Sequence, residues 1–546
     1  MEVDEVLIHV GQFGRSQWRV LGMFLFIFFP VTYQTLIMVF VAYEPPWMCT
    51  ANSSSCLLPN ATGREVYSTA TKPISLYQRR CQLNRSEWKF ADEDMYEGPV
   101  NTIVTEFDLV CERGFLAWLA NSMLFCGWAL GAIVLGIIAD KFGRKSVLFP
   151  AVFFIITVTF AMSFVEQAWL VILFRFVVGV FEAGCLSMFV LSTELVGPKH
   201  RALAGTMVWF YFTAALLAIG LKAYFIRDWS MLCIASTAPY IFVLFLYKCV
   251  PESVRWLLVA GREPEARKII EDVARVNKKQ MPETELRVPK IASNKGVIEL
   301  FRTRKLAILT LIQCYAWFVN GMVYYGVSMS SGDFGGSIYL NFVLTSLVEI
   351  PGNWLVIDNC NRFGRKKTVV AHMILGAIAC VSVSFIPDGT DNIAFIAGRV
   401  TGGTLGKLFI TCSFNSIYVF SAELFPTMVR NSGMGLVSVT SRFGAASAPF
   451  VVQMTRINTV LPFALMGSLT FIAAVACWFL PETRGKPTQE VMDDTDRTRH
   501  KGEVLFDEKP GRGQKDVEDL PHDNENVAKD GEDESGIKLL SVNPSV

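Results

Sequence analysis

Histidine is scarce in this chain, five in 546 residues, and neither sign of charge is in excess: 50 Lys and Arg against 49 Asp and Glu leave a net charge of +1. A balance so close to zero lacks the basic footprint of a nucleic-acid-binding protein, and no nucleic-acid partner is expected. The few histidines stand in no nucleophile and base constellation, which argues against an enzyme. No cysteine pair has the CxxC spacing of a zinc site, so no metal is expected. The phrase Gly402-Gly403-Thr404-Leu405-Gly406-Lys407 is not a phosphate loop, because its spacing is short and Leu408 replaces the needed hydroxyl residue. No nucleotide-driven pump is indicated, and no cofactor is implied. A cleavable leader is also missing, since the first apolar run is long and follows Asp4, Glu5 and Arg15 instead of a short basic stretch.

What the chain has in abundance is apolar surface. Hydrophobic residues make up 52% of it, with 42 phenylalanines, more than one soluble core needs, and the surplus must face lipid. Runs long enough to span a hydrocarbon layer of ~30 Å fall at 18–43, 115–138, 146–165, 168–191, 203–221, 231–250, 306–328, 337–357, 368–387, 393–421, 432–455 and 460–480. Lys141, Arg144, Lys145, Lys199, Arg201, Arg362 to Lys367 and Arg430 occupy one set of short loops, and Glu166 and Asp333 the other. The positive-inside rule then puts both termini in the cytoplasm.

The long segment 44–114 falls on the outer side. It carries the glycosylation sequons at Asn52, Asn60 and Asn84, and four cysteines, Cys49, Cys56, Cys81 and Cys111. On the oxidising side an even set supports two disulfides, with three connectivities open. The domain plan is a cytoplasmic N-terminus (1–17), a six-helix bundle (18–250) bearing the outer loop, a cytoplasmic linker (251–305), a second six-helix bundle (306–484) and a disordered tail (485–546).

Two phrases recur about 220 to 230 residues apart, the internal-repeat plan of secondary transporters. Asp140-Lys-Phe-Gly143-Arg144-Lys returns as Asn361-Arg-Phe-Gly364-Arg365-Lys, and Pro251-Glu-Ser returns as Pro481-Glu-Thr. Glu194 lies seven residues before Arg201, as Glu423 does before Arg430. These residues read as gating or structural elements. Asp140 with its basic neighbours can form a polar clasp closing the cytoplasmic side, weaker at the second copy where Asn361 replaces the aspartate.

An ionisable group at mid-bilayer costs about 2.5–3.5 kcal/mol on insertion scales and demands a partner or a watery cavity. Glu349, Lys407 and Arg442 sit roughly 18, 21 and 15 Å below the outer face, nearly one layer. Lys407 and Glu349 either neutralise one another between helices or join Arg442 in binding substrate. Pro351 frees a carbonyl beside Glu349 and can kink its helix toward the cavity. Tyr33, Tyr211, Trp317, Tyr324 and Tyr325 are the aromatic candidates for a cation cage, with Tyr211 and Tyr324 preferred. Glu182 is a further buried carboxylate that either couples a proton or sodium ion or pairs with Arg175.

Asp140-Lys-Phe-Gly-Arg-Lys, Pro251-Glu-Ser-Val-Arg-Trp-Leu257, Tyr224-Phe-Ile-Arg-Asp-Trp229, Glu423-Leu-Phe-Pro-Thr-Met-Val-Arg-Asn431 and the cysteine-bearing first loop together resemble the organic cation, anion and zwitterion transporter family of the major facilitator superfamily. The resemblance covers about 15–484. It implies an all-α membrane protein of twelve helices in two pseudo-symmetric six-helix bundles around a cavity open to alternate sides. Cation carriers of that family resemble one another in a span 11 carboxylate, whereas its anion and carnitine-type carriers have arginine there, as in Ser441-Arg442-Phe443-Gly444. Carnitine-type carriers also keep a Val-Glu-hydrophobic-Pro phrase, here Val348-Glu349-Ile350-Pro351. The resemblance therefore implies a plasma-membrane transporter of small organic ions, carnitine-like zwitterions or quaternary ammonium compounds, with sodium or a proton as a coupling ion. An organic anion exchanger is the alternative within the class, and a receptor or scaffold that has lost transport is the alternative outside it. Oligomeric state is not legible.

Overall fold

The computed structural model describes residues 1, 3–50, 56, 66–67, 79–91, 98–282, 286–287, 296–387 and 392–484; the sequons at Asn52 and Asn60 and the tail from 485 lie outside them. Among the described residues twelve helices are long and apolar enough to cross a membrane. Spans 1 to 6 are Arg15–Val41, Cys111–Phe142, Arg144–Met162, Ala168–Glu194, Pro198–Phe225 and Trp229–Lys248. Spans 7 to 12 are Arg304–Gly332, Ile338–Phe363, Arg365–Ser384, Ile393–Leu424, Arg430–Arg456 and Leu461–Trp478. Ile137, Phe245, Leu311 and Phe471 point outward from the bundle and are exposed, as suits contact with acyl chains. Spans 2 and 11, and spans 5 and 8, pack across the two halves. One end of the bundle carries the linker and the N-terminus, and is called the linker face; the other carries the disulfide loop, and is called the loop face.

The two recurring phrases are partners. Gly143 and Gly364 turn the chain between spans 2 and 3 and between spans 8 and 9 at φ of 104° and 97°, a region that favours glycine, and a Cβ at either would meet Glu252 or Glu482. The Glu252 carboxylate accepts from the amides of Arg144 at 3.0 Å and Lys145 at 3.1 Å, capping the first turn of span 3. Glu482 accepts from Arg365 at 2.9 Å and from Lys366 at 3.4 Å, capping span 9 in the same way. Burial opposes ionisation of Glu482, but these amides, with those of Arg484 and Thr483, hold its carboxyl below the usual range.

Glu194 and Arg201, and Glu423 and Arg430, do not pair with one another, despite their matching spacing in the two halves. Glu194 instead accepts from the Ser253 hydroxyl, and Arg201 turns to Asp4. Glu423 accepts from Thr483 at 2.7 Å and pairs with Arg365 at 2.9 Å, while Arg430 donates to Thr427 at 3.2 Å. In the first copy Arg144 is held by Asp140 at 2.8 Å, one helical turn back. With Asn361 in place of that aspartate, Arg365 is free to reach the span 10 glutamate. The second clasp thus gains a tertiary ion pair, contrary to the expectation that it would be weaker. Each of these clasps lies within one half.

The N-terminal helix Val3–Val10 and the linker helices Val254–Val259 and Glu263–Asn277 bury Val6, Leu7, Leu257, Ile270 and Val273 in a small core of their own on the linker face. Asp4 ties it to the bundle by bridging Arg201 and Arg255, which hold the carboxyl below its usual range against the opposing effect of burial. At the other end, strands Trp47–Cys49, Val66–Tyr67 and Trp88–Phe90 form a small antiparallel sheet with the first strand central. Cys49 pairs with Cys56 and Cys81 with Cys111, with Cα separations of 5.7 and 5.6 Å, resolving the three open connectivities to one. Asn84 is exposed beside this sheet.

Candidate functional site

A cavity of about 520 Å³ runs from the middle layer to the linker face, where Thr193, Arg201, Asn361 and Arg365 border it. At the loop face the halves are joined. Glu44, just after span 1, pairs with Arg80 at 2.5 Å and with Arg456 at the end of span 11. Arg80 lies over the rings of Trp47 and Trp88, and Arg456 over Trp118. Burial works against ionisation of Glu44, but Arg456 and Arg80 prevail and lower its pKa. Asp333 near this cluster moves the other way: burial raises its carboxyl to about 6, against Arg399 and Arg456 and with Glu44.

Span 8 breaks at Val348 into helices Ile338–Leu347 and Glu349–Phe363, because Pro351 has no amide to donate to the carbonyl four residues back. Glu349 follows that break and lines the cavity. It is fully engaged, accepting from the Tyr324 hydroxyl at 2.6 Å and from the Thr213 hydroxyl on span 5 at 3.0 Å, and pairing with Lys407 at 3.1 Å. Lys407 is outside the cavity wall, behind Tyr324. Its ammonium donates to the Ser328 hydroxyl at 2.6 Å and lies 3.1 Å from the Tyr324 ring centre. Two of the three mid-layer charges therefore neutralise each other.

Arg442 remains. Its guanidinium lies 3.5 Å above the indole of Trp128 on span 2 and donates to the Tyr325 hydroxyl at 3.3 Å. An arginine of one half thus rests on an aromatic of the other, in the cavity wall. On the opposite element Glu182 also lines the cavity, next to a break in span 4 at Cys185. It does not form an ion pair with Arg175, which donates instead to the Gln34 carbonyl at 2.9 Å. Trp128, Thr32 and Thr411 line the cavity as well, each with a buried polar atom lacking a protein partner.

Of the expected aromatic cage, Tyr324 and Tyr325 are in the wall. Tyr33 is buried against Tyr240, hydroxyl to hydroxyl at 2.9 Å, with the Lys222 ammonium over both rings. Trp317 is wholly buried behind Tyr418, donating to Ser421 at 2.9 Å. Tyr211 is half-buried on span 5, outside the wall. Trp128 had no sequence signal, being one aromatic in an apolar run, and no motif in the sequence points Glu44 to Arg456, 412 residues away.

The sequence matches the family described as sugar (and other) transporter over residues 68–494. It is 33% identical to an organic cation transporter-like protein of Drosophila melanogaster over 91% of this chain and 93% of the relative. It is 30% identical to human organic cation/carnitine transporter 2 over 91% and 94%, and 30% identical to human solute carrier family 22 member 13 over 91% and 93%. Among solved structures, an inward-open form of the xylose transporter XylE from E. coli superposes with a TM-score of 0.59 over 86% of this chain and 98% of that one, at 15% identity.

Proposed function

The chain belongs to the organic cation, anion and zwitterion transporter family of the major facilitator superfamily, and on that premise we propose that it carries small carnitine-like zwitterions or quaternary ammonium compounds across the plasma membrane. Membership makes it a secondary transporter of organic ions and not an enzyme. The observation that carries the finer reading is Arg442, a guanidinium on the wall of one cavity that also presents carboxylates and aromatic faces. A guanidinium suits a carboxylate, and a carboxylate with aromatic neighbours suits a quaternary ammonium. The linker face, with Arg144, Lys145, Arg201 and Arg365, is the cytoplasmic side in this reading, and the disulfide-bearing loop face the outer side. The cavity is then inward-facing, and the cluster of Glu44, Arg80 and Arg456 is the closed outer gate. Sodium or a proton drives accumulation.

An organic anion exchanger is the second reading, and one observation favours it: Lys407 already neutralises Glu349. Uptake of carnitine, choline and glutarate into cells separates the two. The zwitterion reading expects carnitine to accumulate, with Arg442→Ala losing about 30-fold or more of it, the effect of removing a buried charge-assisted contact. Accumulation of glutarate with no uptake of carnitine or choline would establish the exchanger instead.

A further inference from the structure

Glu182 is the one carboxylate in the cavity wall, among the described residues, with an oxygen left unsatisfied. Oε1 accepts from the Thr35 hydroxyl at 2.5 Å, whereas Oε2 is buried without a partner, and the residue is only 3% exposed. A desolvated carboxylate with an oxygen unpartnered is costly inside a membrane protein, and a ligand cation beside it, even a quaternary ammonium with no N–H to donate, offsets that cost by meeting its charge. Glu349, the other acid in the wall, has both oxygens engaged and its charge met by Lys407. A substrate ammonium approaching Glu349 would have to displace a lysine that Ser328 and the Tyr324 ring hold in place.

We propose that Glu182, oriented by Thr35, is the subsite that receives the ammonium end of the transported ion, with Arg442 receiving an anionic end where one is present. The assignment rests on the reading of this cavity as the transport site and reverses the roles expected from the span 8 and span 11 motifs. Glu349 becomes a positioning residue, holding Tyr324, Lys407 and, across the halves, Thr213. Glu182 lies on the first half and Arg442 on the second, so a zwitterion held at both ends spans the two halves. A pure cation would engage the first half alone. Trp128 supplies an aromatic face shared by both ends, its ring already under Arg442.

The test compares Glu182→Gln with Glu349→Gln in the full chain, reading KM for choline, carnitine and glutarate uptake, and the thermal stabilisation of purified protein by each. Glu182→Gln is expected to raise KM for choline and carnitine at least tenfold and to abolish stabilisation by choline, while any response to glutarate is retained. Glu182→Asp, which keeps the charge, should recover part of the choline response; a melting temperature of the unliganded variant near that of wild type separates loss of the subsite from misfolding. The assignment is overturned if Glu182→Gln leaves choline KM unchanged while Glu349→Gln raises it, an outcome that leaves the transport reading intact. It is equally overturned if Glu182→Gln alters only the pH profile of uptake, which would make Glu182 a proton carrier. Absence of any choline or carnitine response in wild type would sink the zwitterion and quaternary ammonium reading, and the subsite with it.

Discussion

Glu44 of the first half and Arg456 of the second form an ion pair at the loop face, and the same carboxylate holds Arg80, whose neighbour Cys81 is tied to Cys111 at the start of span 2. The outer gate proposed above is therefore built from three parts of the chain: the end of span 1, the end of span 11 and the folded loop. Glu44→Gln leaves two arginines facing a neutral group, and breaking a buried pair in this way costs about 3–5 kcal/mol. Spin labels at the exposed positions Phe115 and Ile457 should then show a longer separation gaining population. An unchanged distance distribution would mean that apolar packing alone closes this face.

Asp333 should give the proposed gate a pH dependence of definite sign. Its carboxyl is raised to about 6, so the closed arrangement holds a proton that an exposed aspartate would release. The closed state is thus favoured progressively as pH falls from above 6 toward the ordinary aspartate range, and loses that contribution as pH rises through 6. Glu44 has the opposite shift, so its contribution is full above the usual carboxylate range and is lost as pH falls below it. Between pH 7 and 5 the label separation should shift toward the closed distance, and Asp333→Asn should flatten that response.

The capping glutamates should prove structural. Glu252→Gln or Glu482→Gln keeps an acceptor but removes its charge from the first turn of span 3 or 9, worth roughly 0.5–2 kcal/mol. Gly143→Ala or Gly364→Ala should cost more, about 1–3 kcal/mol, since it forces a side chain into a positive φ and against the capping carboxylate. Melting temperatures of the purified variants order these effects.

Lys407 and Glu349 should behave as one unit. Lys407→Met strands a buried carboxylate and should cost about 3–5 kcal/mol of stability, whereas Lys407→Met combined with Glu349→Gln should recover much of it. A double-mutant cycle on thermal stability measures the coupling, and simple additivity would show that the pair contributes nothing.

Twelve spans, two like halves and the cysteine-bearing loop were legible because each is a local property: run length, residue type and repetition of phrases. The mid-layer charges were legible for the same reason, since an ionisable residue in an apolar run stands out whatever it touches. Partnership was not. Glu194 and Arg201 have the right spacing and the right signs, yet each turns to a residue far off in sequence, Ser253 and Asp4. Tyr33 and Trp317 have cage chemistry, yet helix rotation buries one against Tyr240 and the other behind Tyr418.

Sequence therefore settled the architecture, because the hydrocarbon layer imposes length and polarity on every span separately. The packing of helices settled which charges are spent on one another and which stay open. Lys407 closes on Glu349 because spans 8 and 10 bring them within 3.1 Å, and the Thr35 hydroxyl on span 1 leaves one oxygen of Glu182 unclaimed. Which acid faces the substrate is a matter of three-dimensional neighbours, and no periodicity along the chain encodes it.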